Sequence, residues 1–305
     1  MENRIYKTAN ELSKILESRG IELDVDPVPI IQREGHYALI NGYKEPFLDK
    51  KAMQGNAGDR YTPGTKFSHI YELFLFDRKL RETVLPFITR AEAAVRTSIV
   101  DSFCAKHQEV GSYLNPNNYV GEQWMLFPKH YRGNRHNAYT KGLSGLLNMF
   151  ERMSNPSSNG PAYIRHYLIR YGNIPLWVLQ NSMTFGNVKH FYQLLERDVQ
   201  AHAARTIQNM SADEKRLDPQ TLLQVIEVLV DFRNICAHND RLYCAKPRGR
   251  DFGELFRALW KVLPRNEIRE LLLAINAALF AHPSLHGNKI ILDVAKKMGA
   301  VLIPY

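Results

Sequence analysis

The chain has 305 residues, 45 % hydrophobic and 23 % charged, an ordinary balance for a globular protein with room for one large domain or two smaller ones. Lys and Arg number 40 against 31 Asp and Glu, a net charge of +9 with a pI near 9.4. That surplus favours a polyanionic partner, nucleic acid ahead of membrane, although it also suits solubility alone. Three cysteines (Cys104, Cys236, Cys244) exclude a disulfide framework in a chain of this length. No apolar run approaches membrane-spanning length and no secretory signal opens the sequence, so the cytoplasm is the expected compartment.

Thr8-Ala9-Asn10-Glu11 has capping-box spacing ahead of Leu12, Ile15 and Leu16, and Gly20 is the expected stop. Asp26-Pro27 reads as a cap followed by proline at the first helical position. Residues 36–47 are irregular and 49–66 form a polar, glycine-bearing loop. The strongest helical pattern covers residues 68–107, where Ile70, Leu73, Leu80, Val84, Ile88, Ala91, Val95 and Ile99 keep helical spacing. Pro86 is expected to kink or divide it. Glu92 and Arg96 are four apart and can pair; Arg90 reads as a surface charge, Arg96 equally as surface or as facing the centre.

Residues 108–140 read as a long basic excursion before a helix through Leu143, Leu146, Leu147 and Phe150. Lys129, Arg132, Arg135 and Lys141 interleave with His130, Tyr131, His136 and Tyr139, a composition suited to phosphate contact and base stacking or simply to a solvated loop. Residues 154–160 are the best candidate for a flexible break. Pro161 opens a further helix exposing Arg165, His166 and Arg170; residues 174–179 begin a buried one, and 184–187 turn into the next. Asp218-Pro219 repeats the cap-plus-proline start. Residues 246–250 are a basic loop, and helices follow around 255–262, 268–280 and 290–298. Alternating patterns are scarce, and an all-α protein without internal repeats is expected.

The helix launched at Asp218-Pro219 carries the most chemically loaded stretch, from Asp231 to Tyr243. Leu222, Ile226, Leu229 and Val230 recur at the spacing of a buried face, and the centre line of that stripe passes close to Arg233. An arginine there needs an anion, either an internal carboxylate or a phosphate from outside. His238 follows Arg233 by five, and Asn234 lies one turn before His238, where its amide can fix the imidazole. Histidine exchanges a proton near neutral pH and arginine holds phosphate through two hydrogen bonds, a combination suited to attack of an RNA 2′-hydroxyl on its own phosphodiester. On one helix the two side chains diverge by roughly 140°, so the arginine reaches round or a second copy contributes. Cys236, His238 and Cys244 lack paired zinc-site spacing, Cys236 is expected in the core, and no nucleotide loop is present, so neither metal nor cofactor is implied.

The segment from Arg233-Asn234 through Ala237-His238 to Arg241-Leu242 resembles the Arg-Asn-x-x-Ala-His-x-x-Arg-Leu signature of the Abi-like (AbiD/AbiF) abortive-infection proteins of bacteria, which belong to the HEPN superfamily. Pro175-Leu176-Trp177 with Thr184-Phe185-Gly186, and the stretches 63–81 and 90–96, are similar to further family segments in the same order. The resemblance implies a HEPN-type helical bundle over residues 67–245 with the basic insertion at 108–140, preceded by a segment 1–66 and followed by a helical extension 246–305. It further implies a metal-independent ribonuclease working as a homodimer, with Arg233 and His238 catalytic, Asn234 supporting and Arg241 holding phosphate. RNA is the expected partner, as substrate and as a restraining structured small RNA. Lys129, Arg132, Arg135, Lys141 and Arg96 are the candidate RNA contacts. Asn239-Asp240 departs from the more usual pair and adds a carboxylate. Two readings compete with catalysis: a non-catalytic RNA-binding module, and a structural role in which internal carboxylates satisfy Arg233 and His238.

Overall fold

The computed structural model describes residues 5–53, 58–155 and 161–280, together with Lys289 and Asp293. The regular elements among them are helical: α1 (Ala9–Ser18), α2 (Pro27–Glu34), α3 (Phe67–Lys106), α4 (Arg135–Met153), α5 (Ala162–Tyr171), α6 (Leu176–Leu179), α7 (Phe185–Leu194), α8 (Arg197–Met210), α9 (Pro219–Ala237), α10 (Phe252–Trp260) and α11 (Arg265–Phe280). Short 3-10 turns and one π turn (Tyr37–Asn41) join them, and among the described residues β pairing is limited to the isolated bridges Glu22–Lys66 and Leu48–Tyr61. The all-α expectation holds. The chain divides into two compact units.

The first unit comprises Met1–Val84, Ile235–Gly253 and Leu272–Tyr305. Its helix starts follow the sequence chemistry. Thr8 and Glu11 form the expected reciprocal cap: the Thr8 backbone N–H donates to Glu11 Oε2 at 2.7 Å, and the Glu11 N–H to Thr8 Oγ1 at 3.3 Å. Asp26 Oδ1 accepts from the Val28 N–H at 3.0 Å, with Pro27 at the first helical position, where no N–H is needed. Leu16, Leu39, Phe47, Phe67, Ile70 and Leu73 are fully buried. Beside them Tyr43 stacks on Tyr243 (5.5 Å between centroids) and meets Phe74 edge-on (5.2 Å).

The second unit comprises Leu85–Asn234 and Glu254–Leu271. Its aromatic centre is Phe191, within 5.2 Å of Phe103 and 5.8 Å of Phe150 between centroids. On α9, Leu222, Leu223, Ile226, Leu229 and Phe232 are fully buried, and Val225, Glu227 and Val228 nearly so. From Leu222 to Leu229 this helix is buried on nearly all sides rather than along a stripe, while Asn234 and Ala237 at its C-terminal end are exposed, so a stripe centre line does not place Arg233. Phe232 takes the inward position, while the Arg233 side chain is 34 % exposed. Burial of such side chains contributes about 1.5–3 kcal/mol each.

Pro86 sits inside α3, so of the two outcomes expected there division does not occur, and the Thr89 hydroxyl donates to the Pro86 carbonyl at 2.8 Å. One further expectation needs correction. The basic excursion ends earlier than its composition suggests: Asn134 caps α4 by accepting from the Asn137 N–H at 2.9 Å, so Arg135 and Lys141 stand on helix. Upstream of that cap the segment is tied down, not loose. The Val120 N–H donates to Leu194 O (2.9 Å), the Leu126 N–H to Gln193 O (2.9 Å), and Gln193 Nε2 returns a bond to Leu126 O (3.0 Å). The expected short helix near 290–298, apart from Asp293, and most of the break at 154–160 lie outside the described residues.

Candidate functional site

The helix α9 ends at Ala237, so His238 lies one residue past it rather than on its continuation. The closure is a Schellman turn. Asn239 adopts a left-handed conformation (φ 58°), and the Asp240 N–H donates to Ile235 O at 3.0 Å. This places His238 at the C-cap with its side chain exposed, and Asp240 is exposed too. Cys236 is buried, as expected, and burial pushes its thiol up to about 12, which removes it as a nucleophile.

In the second unit, Arg233 does meet an internal carboxylate. Its Nε lies 3.6 Å from Glu92 Oε2, while Glu92 Oε1 accepts directly from Arg96 Nη2 one turn along α3. The Glu92 side chain is 9 % exposed and the Arg96 side chain 18 %. One carboxylate therefore serves two guanidinium groups, and one positive charge is left over. The Arg96 Nε is buried without a hydrogen-bond partner, an uncompensated donor on the same group. Arg233 also donates from Nη1 to Asn234 Oδ1 at 3.3 Å, so this asparagine supports the arginine rather than the histidine. Arg96 thus faces inward. Arg90, by contrast, is a half-exposed charge paired with Glu270 at 2.8 Å, in keeping with its surface reading.

In the first unit, the segment after the Schellman turn is gripped by a residue that hydrophobic patterning passed over. The fully buried Asp77 accepts from the Tyr243 N–H (2.7 Å), the Leu242 N–H (3.1 Å), the Tyr43 hydroxyl (2.7 Å) and Arg81 Nη1. Arg81 is itself buried and donates onward to Tyr43 Oη (3.2 Å) and Asp240 O (3.3 Å). Burial raises the Asp77 carboxyl above the ordinary range, and its donors pull against that rise. Arg241, between these anchored residues, is exposed and donates to Gly42 O at 3.0 Å. The i, i+4 spacing of Asp77 and Arg81 was a visible signal; that their shared target was backbone of residues 240–243 was not.

The remaining candidates cluster elsewhere in the second unit. Lys129, Arg132, Arg135 and Lys141 are all exposed. The Arg135 guanidinium lies over the Phe127 ring at 5.1 Å, and Phe127 packs on Tyr131 at 4.9 Å. Trp124, 56 % exposed, has Arg197 over its face at 5.9 Å; neither was singled out from the sequence. Gln220, in the first turn of α9, donates to Phe127 O at 3.1 Å. Thirteen helical residues separate Gln220 from Arg233, about 20 Å of axis at 1.5 Å per residue. The basic strip and the Arg233–Glu92–Arg96 cluster are therefore two places, not one.

Among the described residues, no group of three or more His, Cys, Asp or Glu side chains is placed to hold a metal ion, and no helix is long and apolar enough to cross a membrane. Comparisons with curated proteins and with solved structures returned no match. One family model, described as Abi-like protein, matches residues 29–244. That span runs from within α2 to beyond α9, takes in Asp77, Glu92 and the whole segment from Arg233 to Tyr243, and covers well over half of the chain. The chain belongs to the Abi-like protein family, a membership that points to abortive infection, a form of phage defence.

Proposed function

We propose that the chain acts in abortive infection as a metal-independent endoribonuclease of HEPN type, working in the cytoplasm as a homodimer and held in check by a structured small RNA. In this reading His238 takes the proton of an RNA 2′-hydroxyl as its oxygen bonds to the adjacent phosphorus. The bond from phosphorus to the 5′-oxygen breaks, leaving a 2′,3′-cyclic phosphate and a 5′-hydroxyl that receives a proton. Arg233 stabilises the charge that builds on the phosphoryl oxygens, with Asn234 bracing its guanidinium. Arg241 holds a neighbouring phosphate, and a second copy of the chain completes the constellation.

The observation that carries this reading is the sharing of Glu92. A carboxylate matched to Arg233 alone would leave it a structural ion pair; shared with Arg96, it leaves a charge that a phosphate can meet. The exposure of His238 at a helix C-cap supports the same reading, because an acid–base group must reach substrate. Purified, RNA-free protein is expected to cleave RNA in EDTA and to leave 2′,3′-cyclic ends. His238→Ala and Arg233→Ala are each expected to lower the rate by about 10²–10⁴-fold. Intact RNA after incubation with folded wild-type protein overturns the catalytic assignment.

A second reading, RNA binding without cleavage, is favoured by the strip from Trp124 to Lys141, whose aromatic and basic groups sit on a pinned segment. On that reading Arg132→Glu and Arg135→Glu abolish defence while His238→Ala leaves it intact.

A further inference from the structure

A cavity of about 700 Å³ lies within the first unit, bounded by residues 45–51 on one side and 241–246 on the other. Both walls are held in place by bonds that do not involve any occupant. The first is pinned by the Leu48–Tyr61 bridge, with the Asp49 N–H donating to Arg60 O and the Thr62 N–H to Phe47 O, each at 2.9 Å. The second is the segment whose backbone N–H groups Asp77 holds at Leu242 and Tyr243. A pocket of this size with preformed walls is in the range of small-ligand sites.

Its lining has two kinds of surface. Lys50, Lys51, Arg241 and Lys246 supply four cations against the carboxylates of Glu45 and Asp49. Lys50 lies 3.1 Å from Glu45, and Asp49 Oδ1 is occupied by the backbone N–H groups of Lys51 and Ala52 at 2.9 and 3.0 Å. Glu45 is thus paired with Lys50 and Asp49 is engaged by backbone N–H groups, and four cations against two carboxylates leave the lining with a surplus of positive charge. Between the charged groups, Leu48 and the Tyr243 ring, backed by its stack on Tyr43, give an apolar and aromatic floor. A nucleotide offers both an aromatic face and an anion, matching the two kinds of surface in the lining.

We infer that this cavity is a binding site for a nucleoside monophosphate group, its base on the Leu48–Tyr243 floor and its phosphate against Lys50, Lys246 and Arg241. The same chemistry comes from two sources: one nucleotide of a bound RNA strand, or a free nucleotide. For the strand the inference rests on the RNA-directed reading above; for the free nucleotide it stands without it.

The test uses full-length His238→Ala protein, so that no strand is consumed. Calorimetric titration with adenosine 5′-monophosphate is expected to show saturable binding, with adenosine at least about tenfold weaker because the phosphate contributes charge-assisted hydrogen bonds. Lys50→Glu and Lys246→Glu, both exposed in the free chain, are each expected to weaken the nucleotide about tenfold, while Lys14→Glu in the same unit leaves it unchanged. Displacement of a fluorescent oligoadenylate by the mononucleotide identifies a strand nucleotide as the occupant. Nucleotide binding without displacement identifies the free ligand. Absence of nucleotide binding, or binding that survives both charge reversals, overturns the inference. Cleavage by wild-type protein is measured separately, so an inactive enzyme that still binds the nucleotide leaves the pocket standing.

Discussion

Two buried carboxylates on α3, Asp77 in the first unit and Glu92 in the second, each meet part of the stretch from Arg233 to Tyr243, and they are used in opposite ways. Asp77 is fully buried and saturated: two backbone N–H groups, one hydroxyl and one guanidinium take up its lone pairs, and Arg81 matches its charge one to one. Glu92 is almost as buried but faces two guanidinium groups, one directly and one at 3.6 Å, and leaves Arg96 Nε without a partner. A balanced, saturated carboxylate holds chain in place. An outnumbered one leaves guanidinium charge unmatched, at the Arg233–Arg96 pair and not at Arg81.

The comparison can be broken in order of expected effect. Asp77→Asn leaves the Arg81 charge buried and unmatched and replaces an acceptor with a donor facing backbone N–H groups. Chemical denaturation should register a loss of about 3–5 kcal/mol. A loss under about 1 kcal/mol would show that the Asp77 cluster is not what anchors residues 240–243. Glu92→Gln should cost less, about 1–3 kcal/mol, because the groups around it retain some solvent contact. The same substitution should tighten RNA binding at low salt, since two guanidinium charges then face the ligand unopposed; an unchanged affinity and salt slope would place the RNA elsewhere. Smallest is the turn between the two regions. Asn239→Ala forces a Cβ-bearing residue without a polar side chain to hold φ 58°, a cost of about 1–2 kcal/mol by thermal melting, whereas Asn239→Gly should be neutral or slightly stabilising.

Much of this was readable from the chain because it depends on near neighbours. The caps at Thr8–Glu11 and Asp26–Pro27, the span of α3 and the start of α9 after Asp218 are local hydrogen-bond and periodicity signals, and each appears where the residues place it. The start of α4 escaped notice for the converse reason. Arg135, His136 and Asn137 carry no apolar periodicity, and the Asn134 cap alone marks the helix. The termination of α9 was equally hidden, since a Schellman turn closed by Asn239 lacks the usual glycine.

By itself the sequence determined the all-α class, the order of most helices and the family signature, because spacing along one chain decides each of these; it allowed Glu92 to pair with Arg96 without deciding which way Arg96 faces. Only the tertiary structure decided what the charges meet. That Glu92 is also near Arg233, that Asp77 holds the backbone of Leu242 and Tyr243, and that the four cations around the first-unit cavity converge are contacts between residues up to 196 positions apart in sequence number. No local period encodes them. Electrostatic energy depends on distance in space, so the balance of charge around Arg233 became visible only once the helices were packed.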